Sequence, residues 1–354
     1  MVSSDDVAAW IDKINTGYKR ELAHYGKSFP ALDVARLSSG ILELDIALGG
    51  GWPFNRIALL AGEYSTGKTL MAIKACSEVV RYDHVTKKHR DFCSESFTPG
   101  RALVCDLEGS FDLEWAKANG FDADHHVVVR PETSEQAVDI VKVAILDGVF
   151  DLIVVDSIAA MTPSKEIEDS SENWQMGLSA RLVNKAMRAW VGGLNAASNV
   201  SGGGPLVLCL NQFRVKFGVM FGDPRVLPGG RQQEFAASVI VYTKASSYED
   251  SKDAELSEVE LRGIVTKNKV GTPKMNFSYV LGLRDTDALK KGEIANVKSL
   301  LDYGKKFGFI KMDGKKWFFN KNAFSTLKEI SELLKANPNA YRLLWRSIVT
   351  ASVS

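Results

Sequence analysis

Cysteine is scarce in this 354-residue chain, with four in all: Cys76, Cys93, Cys105 and Cys209. They lie far apart, and Cys105 and Cys209 sit inside apolar runs. They therefore read as small buried hydrophobes rather than as a disulfide framework. No apolar stretch approaches the roughly 20 residues that a membrane-spanning helix needs. The opening residues Met1-Val2-Ser3-Ser4-Asp5-Asp6 lack a basic segment followed by an apolar run, so a secretory signal is not expected. A cytoplasmic protein with no membrane partner is. Net charge is almost lacking too, at +1, but the balance is uneven along the chain. From Lys290 to Ser354 there are 13 Lys and Arg against 5 Asp and Glu, a local +8 that leaves −7 for the rest. A basic end on an acidic body suits a polyanion contact, and equally a solvated lysine-rich surface. No internal repeat is present.

What the chain does have is core-forming material. Hydrophobic residues make up 45% and charged residues 25%, ordinary for a globular protein of one large domain with an appendage, or of two domains. Residues Val7 to Tyr25 read as one helix, because Trp10, Ile14, Tyr18, Leu22 and Tyr25 recur at three- or four-residue spacing. Gly26 to Arg36 reads as a linker. Short Val-, Ile- and Leu-rich runs then alternate with helical patterns. The strand candidates are Ile57–Ala61, Ala102–Asp106, His126–Arg130, Leu152–Asp156, Leu206–Asn211 and Val239–Thr243, with helices such as Leu70–Val80 and Ser134–Leu146 between them. This order predicts an α/β fold with a mostly parallel central sheet. Glu260–Asn268 and Met275–Leu283 follow with little helix between them and read as an antiparallel extension. Tyr82–Gly100 is polar, without a clear period, and reads as a surface loop insertion. Asn195–Gly204 reads as a flexible loop. The expected division is residues 1–36, residues 37–289 and a small basic domain at residues 290–354.

The strongest local signal is Gly62-Glu63-Tyr64-Ser65-Thr66-Gly67-Lys68-Thr69. It follows a predicted strand and opens a predicted helix, the context a nucleoside-triphosphate loop requires. Its glycines let several backbone N–H groups face one concavity, and the helix start adds partial positive charge. Lys68 supplies a cation for the β- and γ-phosphates, and Thr69 a hydroxyl for Mg²⁺. Leu152-Ile153-Val154-Val155-Asp156 is the natural second half. An apolar strand ending in Asp delivers a carboxylate to the ligand-binding edge of a parallel sheet. Asp156 is expected to hold Mg²⁺ through water. A strand at Val104-Cys105-Asp106-Leu107-Glu108 offers two carboxylates to orient an attacking water, Glu108 first and Asp106 second.

At this point the sequence resembles the RecA family of recombinases, of bacterial and bacteriophage type, from about Leu37 to Gly282. Leu37-Ser38-Ser39-Gly40-Ile41-Leu42-Glu43-Leu44-Asp45-Ile46-Ala47-Leu48-Gly49 is similar to the family's opening signature. Ile153 to Pro163 resembles its Asp-bearing strand and the turn beyond. Asn211-Gln212-Phe213-Arg214-Val215-Lys216-Phe217-Gly218-Val219-Met220-Phe221-Gly222-Asp223-Pro224, continuing to Gly229-Gly230, looks like its mobile DNA-binding loop. Lys267-Asn268-Lys269 matches a further signature.

The resemblance implies roles position by position. Glu108 falls on the catalytic glutamate, Trp115 on an aromatic that stacks on adenine, and Asp112 on an adenine-contacting aspartate. Gln212 falls on the glutamine that senses the γ-phosphate. Lys267 and Lys269 fall on lysines that reach the ATP of a neighbouring protomer. For DNA, Lys165–Gln175 aligns with a first mobile loop and Phe213–Gly230 with a second. Arg181, Asn184 and Arg188 lie on the helix between them, and the two arginines, seven apart, share one face. Arg214 and Lys216 add cations, while Val219, Met220 and Phe221 supply apolar wedges between bases, a pattern suited to sequence-independent single-strand binding.

Three departures stand out. The insertion Tyr82–Gly100 is longer than the family's usual link, and its His84, His89 and Cys93 fit no standard zinc spacing. The loop at Asn195–Gly204 is extended. The C-terminal part, with Leu300-Leu301-Asp302-Tyr303-Gly304 and Lys315-Lys316-Trp317-Phe318-Phe319, resembles a shortened family C-terminal domain of α+β type without a strongly acidic tail. The implied protein is a divergent RecA-like DNA-dependent ATPase, of bacterial or phage-encoded type, that uses ATP and Mg²⁺. It is expected to form homo-oligomeric helical filaments on single-stranded DNA, docked through its N-terminal helix, to capture double-stranded DNA, and to catalyse strand exchange. A hexameric helicase built on the same core, and a filament-forming scaffold with little turnover, are the alternatives.

Overall fold

The computed structural model describes residues 4–18, 23, 25, 34–92, 97–164, 177–197, 203–215, 225–244 and 257–353. The first helix, α1, runs Ser4–Tyr18 and is shorter than the apolar spacing predicts. The chain turns back instead of continuing. The Asn15 amide accepts from the Ala23 N–H at 2.8 Å and donates to the Ala23 carbonyl at 3.0 Å. The Tyr25 hydroxyl donates to the Ser4 carbonyl at 3.2 Å. An Asn that satisfies a distant backbone pair competes with helix continuation, which periodicity alone does not register. The expected linker also ends differently, since Arg36 and Leu37 form strand β1 against β2, Trp52–Pro53. The Arg36 guanidinium closes that corner on the carbonyls of Leu48 and Val270.

After helix α2 (Leu42–Leu48) comes β3 (Ile57–Gly62), followed by helix α3 (Lys68–Val79) and β4 (Ala102–Asp106). Helix α4 (Leu113–Ala118), β5 (Val127–Val129), helix α5 (Ser134–Asp147) and β6 (Leu152–Asp156) continue the alternation. Helix α6 (Leu178–Ala197) precedes β7 (Leu206–Gln212), and a short ladder pairs β8 (Arg214–Val215) with β9 (Arg225–Val226). Helix α7 (Gln232–Ala236), β10 (Val239–Lys244), β11 (Glu258–Asn268) and β12 (Met275–Gly282) complete the core. The central sheet has the order β12-β11-β10-β3-β7-β6-β4-β5, parallel from β10 to β5 and antiparallel at β11 and β12. The expected α/β architecture and its antiparallel extension are both present.

Both faces of the sheet are covered, which is why its strands read as unbroken apolar runs. Alternate residues serve opposite cores. Ala58 and Leu60 pack with α2 and α3, while Ile57, Leu59 and Ala61 pack with α5 and α6. The thiols of Cys76, Cys105 and Cys209 are buried and free, and burial pushes all three above the usual range, Cys105 to about 12.

The C-terminal part is α8 (Asn296–Lys306), a three-stranded antiparallel sheet of β13 (Ile310–Asp313), β14 (Lys316–Phe319) and β15 (Asn322–Phe324), then α9 (Leu327–Ala336) and α10 (Pro338–Val353). Its core is not separate. Leu42 of α2 packs among Leu300, Ile330 and Ile348, and the Asn296 amide bonds Gly40 and Leu42.

The segment 82–100 is more than the expected polar surface loop. Tyr82 pairs with His89 and Asp83 with Pro99 as isolated bridges. Lys87 is buried, and its ammonium is paired with buried Asp151, which also meets His84 Nδ1 at 2.9 Å and the Arg101 N–H at 2.9 Å. Polarity here supplies an internal anchor, which composition does not distinguish from a solvated face. His84 and His89 have separate partners, Asp151 and Arg346, and Cys93 lies outside the described residues. Lys87→Ala is expected to lower stability by about 3 kcal/mol by stranding Asp151, with His84 and Arg101 limiting the loss. Chemical denaturation reads this, and an unchanged midpoint would show that the pair carries no stability.

Candidate active site

Register places four strand ends side by side. Gly62 of β3 is paired with Gln212 of β7, β7 adjoins β6, and Asp156 of β6 is paired with Asp106 of β4. The phosphate-type loop, Gln212, Asp156 and the segment bearing Glu108 therefore share one edge, the edge where parallel sheets bind ligands.

The loop is held by its own side chains. Ser65 and Gly67 both adopt left-handed backbone, with φ of 57° and 79°. A Cβ on Gly67 would lie 2.9 Å from Tyr279, and one on Gly62 only 2.0 Å from Thr243 Oγ1. Thr66 is buried and serves the scaffold, its hydroxyl meeting Glu63 O at 2.8 Å and Thr243 Oγ1 at 2.7 Å. Tyr64, in the same loop, is 76% exposed. Lys68 donates to the carbonyls of Gly62, at 3.3 Å, and Glu63. Burial lowers the proton affinity of its amine, against the pull of Asp156, Glu108 and Glu63. A cation resting on loop carbonyls has strong reason to transfer to phosphate oxygens.

Thr69 Oγ1 donates to Asp156 Oδ2 at 3.1 Å. Burial, and then the charge of Glu108, push the Asp156 carboxyl up to about 6. A hydroxyl and a carboxylate in contact, in a place too negative for the carboxylate's comfort, make a hard-oxygen donor set that fits Mg²⁺.

Glu108 forms the hub of a small cluster. Its Oε1 accepts from the Ser157 hydroxyl and from Gln212 Nε2, the latter at 2.9 Å. Asp106, the other carboxylate weighed, is buried and fully engaged: Arg130 Nε reaches it at 2.9 Å, and the N–H groups of Ser110 and Phe111 at 3.2 Å. It braces the 107–111 turn that carries Glu108. Asp112 caps α4 by accepting from the Trp115 N–H at 3.0 Å. Trp115 is half-buried against Gly292, with Lys291 Nζ 5.6 Å from its ring. Both lie just beyond Glu108 on the same connection.

Lys267 and Lys269 are elsewhere. Lys267 is paired with Ile240, which lies level with Leu59 of β3, and the Lys269 N–H meets the Ser238 carbonyl. That is three residues or more back from Gly62, about 10 Å of strand before the loop begins. The Lys267 ammonium lies on the carbonyls of Glu234 and Phe235, at 2.6 and 3.4 Å. Neither lysine serves the loop of its own chain in this arrangement.

On the DNA-facing candidates, Arg181 and Arg188 of α6 are exposed on one face. Asn184 is half-buried, with an enclosed Oδ1 directed toward Gly230, so it sits under the returning arm rather than in line with the arginines. Arg214 lies on β8, paired with Val226. Lys165–Gln175, Lys216, Val219, Met220 and Phe221 lie outside the described residues.

Two connections went unseen in the sequence. Ser157 meets Glu108, and the only signal was its place one residue after the strand-ending Asp. Arg225, on the returning arm β9, lies 3.9 Å from Glu63 and 5.4 Å from the Phe213 ring centre. The phosphate-type loop thus touches both arms of the segment beyond Gln212, and no local pattern announces a pair 162 residues apart.

The sequence model of the RecA N-terminal domain matches residues 6–282. Protein RecA of Brevibacillus brevis is 34% identical over 311 residues, covering 87% of this chain and 80% of the relative. Protein RecA of Francisella philomiragia is 32% identical over 322 residues, covering 90% and 81%. Protein RecA of Francisella tularensis subsp. novicida gives the same identity and coverage.

Proposed function

The chain belongs to the RecA family, and from that membership we propose how its residues divide the work of a DNA-dependent ATPase and recombinase. As a member it uses ATP and Mg²⁺, binds single- and double-stranded DNA, forms filaments, and acts in homologous recombination and repair. No described helix is long and apolar enough to cross a membrane. Its proposed place of action is the bacterial cytoplasm, or that of an infected bacterial host.

The observation that carries the assignment of roles is the Glu108–Gln212 hydrogen bond at the strand edge beside Lys68. Glu108 would orient and deprotonate the attacking water. Gln212 would leave Glu108 when its amide turns to a γ-phosphate oxygen, freeing the base as ATP is sensed. That displacement would be passed through Phe213 into β8 and the DNA loop. Lys68 would exchange the Gly62 and Glu63 carbonyls for phosphate oxygens. Mg²⁺, held by Thr69 and through water by Asp156, would offset charge on those oxygens. Trp115 and Asp112 would bind adenine. Arg181, Arg188, Arg214 and Lys216 would hold the strand's phosphates, with Asn184 positioning the loop's return and Val219, Met220 and Phe221 separating bases. The test is an ATPase assay with and without single-stranded DNA, paired with electron microscopy. DNA-stimulated turnover with open filaments is expected, and closed rings with ATP-driven unwinding would sink the reading.

Lys267 and Lys269 would complete the site of a neighbour, acting on transition-state charge as arginine fingers do. Mixing equal amounts of Lys68→Ala and Lys267→Ala chains, each inactive alone, is expected to restore roughly a quarter of wild-type turnover, since half the loops meet half the intact lysines. No restoration would place Lys267 outside the shared site.

The proposed division remains residues 1–36 for docking, 37–289 for the core and 290–354 for duplex capture. Lys311, Lys315 and Lys316 are exposed on the β13–β14 hairpin. Lys315→Glu with Lys316→Glu is expected to weaken duplex binding more than single-strand binding, and to flatten the salt dependence by roughly one unit per lost contact. Equal loss on both substrates would make the domain merely structural.

A further inference from the structure

A cavity of about 870 Å³ separates the ATPase core from the C-terminal helix α10. Its walls are two polar helix faces. Lys74, Ser77 and Glu78 of α3, with Arg81 just beyond, recur at helical spacing on one side, and Tyr341, Arg342, Trp345 and Arg346 of α10 on the other. The turn at 286–290 closes a third side. None of these residues belongs to the nucleotide loop.

Charges of both signs line it, and three of the guanidinium groups are clustered. At one end three guanidinium groups gather around His89. Arg346 and Arg342 reach Asp91, the latter at 3.9 Å, and Arg81 reaches Glu78 at 2.9 Å. Three cations thus share two carboxylates. Burial first, and then those arginines, push His89 down to about 4, so the ring is neutral and adds no charge of its own. Also in the lining, buried Asp45 accepts from Trp345 Nε1 at 3.2 Å and from Ser38 Oγ at 2.6 Å. Tyr341 and Trp345 are both half-buried, with ring centres 5.7 Å apart. A cavity of drug-sized volume in which aromatic rings and polar groups converge suits a small ligand.

We propose that this cavity is a second ligand site, for a phosphorylated molecule carrying a planar base, of the nucleotide class, with its phosphates against Arg81, Arg342 and Arg346 and its ring against Tyr341 and Trp345. Guanidinium forks match phosphate oxygens bidentately, and aromatic faces accept any base. An acidic peptide fits less well. Asp45, Glu78, Asp287 and Glu293 all line the cavity and would repel carboxylates along its length. A nucleotide concentrates its negative charge in its phosphates and offers N–H and O–H donors to carboxylates elsewhere in the lining.

The site is built to be felt elsewhere. Helix α3 starts at Lys68, and the 286–290 turn runs into Lys291 and Gly292, which cover Trp115. Occupancy would therefore bear on both ends of the ATP site.

The test is calorimetry on full-length Lys68→Ala chain with GDP and inorganic pyrophosphate as probes. One GDP per chain is expected to bind saturably below about 1 mM. Adding Arg342→Gln should weaken it about tenfold, by loss of charge-assisted bonds. Adding Val349→Trp, which fills the cavity and removes no charge, should abolish it in a variant that still unfolds cooperatively on heating. GDP binding that ignores Val349→Trp would belong to the nucleotide loop and overturn the proposal, as would no saturable binding. Pyrophosphate binding as tightly as GDP, or a decaglutamate peptide binding in its place, would overturn the assigned ligand class. These outcomes are independent of strand exchange, since they require neither DNA nor turnover.

Discussion

Glu108→Gln is expected to reduce ATP turnover by about 10²–10⁴-fold while ATP and DNA binding persist. The substitution keeps the shape and the acceptor oxygen that meets Ser157 and Gln212, so the cluster remains assembled. What is lost is the ability to take a proton from water. The charge change gives a second reading of the same variant. Glu108 is one of the groups that push Asp156 up, so its neutralisation should ease Asp156 ionisation and leave the Mg²⁺ requirement no greater than in the wild type. Filaments formed on DNA with ATP should therefore last longer, because hydrolysis no longer limits their life. Near-normal turnover would remove Glu108 from its role. A rise in the Mg²⁺ requirement would show that Glu108 holds the metal instead.

Lys68→Ala is expected to abolish ATP-stabilised filaments and to weaken ATP binding by roughly 10²–10³-fold, since the ammonium would make more than one charge-assisted bond to the phosphates. The loop itself should survive. Thr66, Thr243 and the close packing of Gly62 and Gly67 hold its course without the lysine. Binding of single-stranded DNA without nucleotide should accordingly fall little. Normal filaments with ATP would contradict the assignment. Loss of nucleotide-free DNA binding to the same degree would mean that Lys68 holds the fold rather than the phosphates.

The fold was legible where one physical cause dominated. Sheet strands buried on both faces must be apolar throughout, and their bounds follow within a residue or two. The loop at 62–69 was legible because anion binding by backbone needs glycine at fixed places. Chemistry that depends on distant pairing was not legible. Nothing near Asn15 announces that it will bond Ala23, and nothing in 82–100 distinguishes Lys87, buried on Asp151, from Lys88 at the surface. Asp106 and Glu108 look equivalent in sequence. Only their partners separate them: backbone N–H groups and Arg130 for one, Ser157 and Gln212 for the other. The roles of Lys267 and Lys269 came from family resemblance alone. The fold shows only that both are away from their own loop, Lys267 level with Leu59 midway along β3.

The proposed sharing of Lys267 and Lys269 has a consequence for the assembled protein. If each site is completed by a neighbour's lysines, a row of n such chains would contain n loops but only n − 1 complete sites. One terminal chain would hold ATP with no lysines arriving from beyond it, and the other would offer lysines to nothing. The two ends would thus be chemically unlike, one able to bind ATP without consuming it and the other consuming through its neighbour. Growth and loss should then proceed at different speeds from the two ends, and the filament acquires a direction before any DNA strand imposes one.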